Sequence, residues 1–272
     1  VSTVGSPLFT PDWLELRESA DAAARAAELL DPLRVQLADM PRLVIRDLGC
    51  GTGSLARWLA GRLPGPQHWI LHDRDPELLA RAEATVTGGA LTVETREGDL
   101  TGLRAEDLAG TSLVTASALL DLLTFDEVSG LAEACVKAGC PALLTLSVAG
   151  RVEVDPVEPL DTEFAAAFDA HQRREDVGRR LLGPDAAAVT AKVFERLGAR
   201  IRTAPSPWRL GADQAALTAE WLTGWVAAAC EQCPELAPEG NAYLRRRLEA
   251  CAAGKLSVVV HHIDLLALPV SP

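Results

Sequence analysis

The densest chemistry in the sequence is the run Asp47-Leu48-Gly49-Cys50-Gly51-Thr52-Gly53. Glycines at alternate positions let the chain turn tightly and let a ligand approach the backbone with no Cβ in the way. The run stands between an apolar stretch and a segment of helical spacing. The free N–H groups at the start of that helix would face the same ligand. The pattern is G-x-G-x-G, not the G-x-G-x-x-G of nicotinamide enzymes. Asp73 follows Gly49 by 24 residues, at the end of the next apolar run. A carboxylate there can accept both hydroxyls of a ribose. Gly98-Asp99 closes a third run, where a carboxylate can accept from an adenine amino group.

These residues need an element pattern that gathers them at one edge. LVIRDLG (43–49) reads as a buried strand ending in glycine, and SLARWLAGRL (54–63) as a helix. HWILHD (68–73) and ALTVETR (90–96) read as strands around a helix over 76–86, opened by Asp75-Pro76. SLVTAS (112–117), a helix over 126–139 and PALLTLSV (141–148) continue the alternation. Parallel strands need such crossovers, so the fold class is α/β, an open doubly wound sheet. Residues 11–40 read as N-terminal helices, capped by Asp12 and broken or restarted at Asp31-Pro32. Residues 156–198 read as mainly helical and 213–253 as helical, with a strand over 199–204 between them. The chain is thus expected to be one domain over 1–272, with 151–190 and 211–254 as a helical cap.

Together D-L-G-C-G-T-G, H-D-R-D-P-E-L-L and E-G-D-L resemble the class I S-adenosylmethionine (SAM)-dependent methyltransferases, over about residues 41–148. The resemblance implies a Rossmann-like, seven-stranded, mostly parallel sheet with helices on both faces and an antiparallel last strand. LSVVVHHIDLLAL (256–268) fits that strand. It also implies SAM as cofactor. Asp47, Gly49, Gly51 and Gly53 would line its methionine half, Asp73 would hold the ribose, and Asp99 would meet the adenine with Leu100 beside the ring. The fourth motif departs from many relatives, which begin this strand with Asp. The strand here is Thr111-Ser112-Leu113-Val114-Thr115-Ala116-Ser117, without the N-P-P-Y or D-P-P-Y of amino-methylating enzymes. No Pro-Cys pair of the cytosine-C5 type is present, since Cys140-Pro141 has the reverse order.

The acceptor side offers Asp121, four residues past Ser117 and near the carboxyl edge, where it could orient an acceptor or cap a helix. His171 lies in a cluster with Arg173, Arg174, Arg179 and Arg180. Histidine is the usual base near neutral pH, and arginines clamp carboxylates or phosphates. The same run, with Glu175 and Asp176, also fits a solvated charged face. Trp208 is a further candidate for substrate contact. Trp221 and Trp225 share a helix face at i, i+4 and read as core. His261 and His262 point to opposite faces of a strand, so they form no paired metal site. Cys230 and Cys233 form a C-x-x-C with no second ligand pair at suitable spacing, and no metal is expected.

The whole chain has 272 residues, with 26 Lys+Arg against 38 Asp+Glu and a net charge of −12. That balance speaks against generic nucleic acid or an anionic membrane as partner. No run reaches the ~18 apolar residues of a membrane span. The N-terminal VSTVGSPLFTPDW lacks the basic start and apolar core of a signal peptide, so a cytoplasmic location is expected. The expected activity is SAM-dependent methyl transfer to an O or N nucleophile on a small molecule, anionic if the arginines bind it. A methyltransferase acting on protein or RNA and a non-catalytic SAM-binding protein are the alternatives. Oligomeric state is not legible.

Overall fold

The computed structural model describes residues 9–100, 102–176 and 178–269. The signal-peptide reading falls partly, up to residue 8, outside them. In chain order the elements are α1 (Pro11–Ala24), α2 (Leu30–Leu37), β1 (Leu43–Leu48), α3 (Ser54–Ala60), β2 (Gln67–Asp73), α4 (Pro76–Thr85), β3 (Leu91–Glu97), β4 (Leu113–Ser117), α5 (Phe125–Lys137) and β5 (Ala142–Asp155). There follow α6 (Asp161–Gln172), β6 (Glu175–Asp176), β7 (Arg179–Arg180), α7 (Ala186–Arg196), β8 (Arg200–Pro205), β9 (Trp208–Leu210), α8 (Ala215–Gln232), α9 (Ala237–Ala252) and β10 (Ser257–Leu268).

The sheet runs β3-β2-β1-β4-β5-β10-β8, and β9 adds to β10 as an eighth strand. β1 pairs in parallel with both β2 and β4. β10 is antiparallel to β5, β8 and β9, as expected of the last strand. One face buries Leu33, Leu37, Leu55 and Leu59 from α2 and α3 against Ile45 and Trp69. The other buries Val128 and Ala132 of α5 and Phe194 of α7 against Val114 and Leu144. Each large apolar side chain so buried contributes roughly 1.5–3 kcal/mol. That two-sided burial explains why the strands read as apolar runs, not as alternating ones.

Four local expectations are corrected. Thr10, not Asp12, caps α1: its Oγ1 accepts from the Trp13 N–H at 3.3 Å. The N-terminal helices break at Arg25-Ala26, while Asp31 and Pro32 lie in the first turn of α2, where a proline lacks no bond. Residues 151–155 are strand, because β5 continues past Thr145, its last partner on β4, to Asp155. The cap is also not helical throughout, since β6 and β7 form a two-stranded hairpin within it.

The extension of β5 determines where the cap sits. β5 runs parallel to β1 and β4, so its surplus length projects from the carboxyl edge of the sheet. The start of β10 pairs with it and β9 with β10. On this ribbon α6, α8 and α9 build their own core of Phe164, Trp225 and Tyr243, with Phe164 and Tyr243 stacked at 4.5 Å.

Candidate functional site

The order β2-β1-β4 makes β1 the point where the connections diverge, α3 following β1 and the 118–124 segment following β4. That point marks the candidate crevice, since sheets of this order bind ligands outside the carboxyl ends of their strands where the connections diverge. The glycine run forms its floor. Gly51 has φ +55° and donates its N–H to Asp73 Oδ2 at 2.9 Å. The other oxygen of Asp73 accepts from the Asp75 N–H at 3.1 Å. Each carboxylate oxygen keeps a second acceptor site for a ligand hydroxyl. Gly53, φ +85°, starts α3, and a Cβ there would lie 2.6 Å from Val86 Cγ2.

Asp47 is fully enclosed in β1. Its Oδ1 accepts from Thr115 Oγ1 at 2.7 Å, and its Oδ2 is buried with no partner. Burial pushes its pKa up from 3.8 to about 7, against the Thr115 bond and the field of Arg25. Arg25, at the break after α1, is 4% exposed. Its Nη2 donates to Ser54 Oγ at 3.0 Å, at the start of α3, and to Ser117 Oγ at 3.3 Å, at the end of β4. Its Nε and Nη1 are buried without partners. Burial lowers its pKa, opposed by the fields of Asp21, Asp264 and Asp47.

Helix α1 closes the crevice from above. Leu14 Cδ1 lies 3.1 Å from where a Gly51 Cβ would stand, and Leu119 Cδ1 lies 3.2 Å from that of Gly49. Arg57 ties this cover to the loop. It pairs with Glu18 of α1 at 2.5 Å and donates to the Thr52 carbonyl at 2.5 Å. Asp99 is exposed on the turn after β3, and Leu100 packs, half-buried, against the α5-side core.

On the acceptor side, Asp121 stands two residues past Leu119. Its Oδ1 is buried and unpartnered, and burial raises its pKa from 3.8 to about 6, opposed by its own backbone hydrogen bond and by the field of Arg17 on α1. The other candidates are committed elsewhere. His171 Nε2 sits 3.4 Å from Glu231 Oε2 of α8, and its Nδ1 is 3.4 Å from Arg174 Nη1. Burial and Arg174 lower its pKa. Arg173 pairs with Asp185 at 2.7 Å, and Arg174 donates to the His171 carbonyl at 3.2 Å. These contacts lock α6 to the rest of the cap instead of gathering the three side chains toward the glycine loop. Trp208 is buried, donates from Nε1 to Asp21 Oδ1 at 2.9 Å, and carries Arg17 over its ring at 4.8 Å. It anchors α1 to β9, so it is core where a substrate contact was expected. His262 is buried and His261 faces Glu153 at 2.9 Å. Among the described residues no cluster of metal-ligating side chains occurs and no helix is long and apolar enough to cross a membrane.

The sequence reading missed Arg25, Ser54, Ser117 and Thr115. Nothing in the local sequence marks them: Arg25 is one arginine in an alanine-rich run. Its importance appears only once the helix break is docked onto the sheet.

Residues 45–139 match the family described as "Methyltransferase domain". A 74-residue stretch is 38% identical to the biotin biosynthesis bifunctional protein BioCD of Bordetella avium (strain 197N), covering 27% of this chain and 14% of that protein. Among solved structures, the fold is similar to the cyclopropane synthase MmaA2 of Mycobacterium tuberculosis, with TM-score 0.51, 13% identity and coverage of 95% and 94% of the two chains. A SAM-dependent methyltransferase of Geobacter sulfurreducens, crystallised with S-adenosyl-L-homocysteine, has TM-score 0.46 and 19% identity, over 96% of this chain and 99% of that one.

Proposed function

We propose that the chain, whose residues 45–139 match a methyltransferase domain, is a class I SAM-dependent methyltransferase that transfers the methyl group of SAM to a nucleophile on a small molecule. The observation that carries this reading is the crevice at β1. It offers a glycine floor, an unpartnered buried oxygen on Asp47, spare acceptor sites on Asp73, and Asp99 one strand further on. SAM is the cofactor of that family, and the residues present fit it. Asp73 would hold the ribose hydroxyls. Asp99 and Leu100 would meet the adenine. Asp47 and the glycine backbone would line the methionine half.

When bound, the cofactor supplies an electrophilic methyl on a sulfonium. The residues of the chain hold the acceptor in line with that methyl and exclude water, which together can lower a barrier by ~7–11 kcal/mol. Leu14 and Leu119 are placed to exclude water above the loop. Asp121 is the acceptor-side group the geometry favours over His171. A carboxyl titrating at about 6 is mostly ionised at neutrality and can take a proton from an acceptor hydroxyl or amine. The small-molecule reading is supported by the cap on the β5 extension, which stands over the carboxyl edge, and by the net charge of −12.

Calorimetry with S-adenosylhomocysteine tests the cofactor assignment, and absence of binding refutes it. Transfer of labelled methyl from SAM to a panel of small hydroxyl and amine acceptors tests the activity. There, Asp121→Asn should lower turnover by ~10²–10⁴-fold while leaving product affinity within about threefold. Transfer confined to protein or RNA fractions would refute the small-molecule reading.

A further inference from the structure

Arg25 is an anomaly that the fold alone does not explain. A guanidinium 4% exposed should have its donors satisfied, because a buried polar group left unpaired loses its hydration with nothing in return. Here Nη2 serves two serines while Nε and Nη1 serve nothing. The carboxylates whose fields reach it are spent or out of range. Asp21 accepts from Arg17 at 3.0 Å and from Trp208 at 2.9 Å. Asp264 accepts from the Ala26 N–H at 2.8 Å, the Leu146 N–H at 2.7 Å and Ser206 Oγ at 2.5 Å. Asp47 has a free Oδ2 and makes no direct bond to Arg25. The carboxyl ends of β1 and β4 therefore hold an unspent cationic donor and an unspent carboxyl oxygen, kept apart from each other.

We propose that Arg25 binds the carboxylate of the α-amino-acid end of the cofactor, with Asp47 facing its ammonium, and that Asp264 is the positioning residue that holds Arg25 there. The proposal rests on the SAM reading above. A zwitterion is the species such a site suits: it satisfies both orphaned groups and adds no net charge to a crevice already ringed by acids. Arginine, with five donors in a fixed plane, suits a carboxylate better than a single ammonium does. Asp264 acts at one remove. By accepting from the N–H of Ala26 it fixes the residue next to Arg25, and by accepting from Leu146 and Ser206 it ties that point to β5 and to the turn before β9. The site would select nucleosides that carry an amino acid over the same nucleoside without one.

The test compares two ligands on the full chain by calorimetry. S-adenosylhomocysteine carries the amino acid, and 5′-methylthioadenosine keeps the adenosine and thioether but lacks it. Arg25→Met should weaken S-adenosylhomocysteine ten- to a hundredfold and change methylthioadenosine by less than threefold, with Arg25→Lys between the wild type and Met. Asp264→Asn should lower the ratio of the two affinities in the same direction by a smaller factor, whereas a merely structural role would move both ligands together. If Arg25→Met and Arg25→Lys weaken both ligands equally, or weaken neither, the assignment of Arg25 is wrong. If Asp264→Asn leaves the ratio at its wild-type value, Asp264 positions nothing. A wild-type protein that binds neither nucleoside overturns the cofactor reading itself, and this proposal falls with it.

Discussion

Replacing Asp47 with asparagine should change how stability depends on pH, and the sign follows from its burial. The unfolded chain loses this proton near pH 4, whereas the folded chain keeps it until about pH 7. Between those values the native state binds more protons than the unfolded state, so stability falls as pH rises through the window and levels off above it. Each unit of displacement corresponds to ~1.4 kcal/mol, so a rise from 3.8 to about 7 amounts to on the order of 4 kcal/mol between pH 4 and pH 8. An asparagine side chain would keep the shape and could still accept from Thr115, but it would not titrate. Urea unfolding of both proteins without ligand, at pH 5 and pH 8, measures the effect. The variant should gain on the wild type by a few kcal/mol from the lower to the higher pH. Taking the difference between the proteins cancels groups that do not sense Asp47, including Asp121, which titrates with the same sign. A variant displaced equally at both pH values would refute the reasoning. In the wild type, ligand binding near pH 6 should also release a proton as the ammonium draws Asp47 into its charged form, which calorimetry in two buffers of different ionisation enthalpy would detect.

Two further outcomes test other parts of the structure. Gly53→Ala should destabilise the protein by ~2–5 kcal/mol, from a left-handed backbone costing about 1–2 and a Cβ forced against Val86 costing about 1–3; scanning calorimetry would show it, and an unchanged melting temperature would contradict the packing of α3 on α4. Asp161→Asn should cost ~1–3 kcal/mol by removing the charged partner of Arg247, which is 1% exposed but keeps the Pro156 carbonyl at 2.6 Å and Glu158 at 3.6 Å, while the ratio of S-adenosylhomocysteine to methylthioadenosine affinity stays as in the wild type, because this ion pair belongs to the cap core and not to the crevice.

The residues of the candidate cofactor half were legible because what gathers them at one edge is local. The glycine run, Asp73 and Asp99 each follow a strand directly, and a parallel strand ends where its apolar run ends. Short-range spacing therefore fixes which edge they occupy. The acceptor half was less legible because its determinants are side-chain partnerships across the chain. His171 and the arginines near it have the residue types of a catalytic cluster. What decides their role is Glu231, sixty residues on, and Asp185, across a loop. Trp208 read as a candidate for substrate contact, and only the docking of α1 turns it into core. The strand content of 151–155 was hidden in the same way. A polar, charged stretch such as Arg151-Val152-Glu153-Val154-Asp155 alternates like a half-exposed strand, but only β10 pairing reveals that it continues β5.

The two ends of the chain meet at the site, and this bears on how the crevice is held. Asp264 on the last strand accepts from Ala26 at the end of the first helix, 238 residues away in sequence. The first helix contributes Leu14 above the glycine loop, Glu18 to the Arg57 clamp and Arg25 to the crevice wall. It is held by the Asp21–Trp208 bond at one point and by Asp264 at another. Both anchors lie on the β9–β10 side of the sheet, which also carries the cap. The glycine loop belongs to the β1–β4 side. A ligand that bridges Arg25 and the glycine loop would therefore bond the two sides to each other, so that its affinity and the docking of α1 are linked quantities. Any substitution that loosens α1 should weaken the ligand, and the ligand should protect α1 in return, by the same free energy.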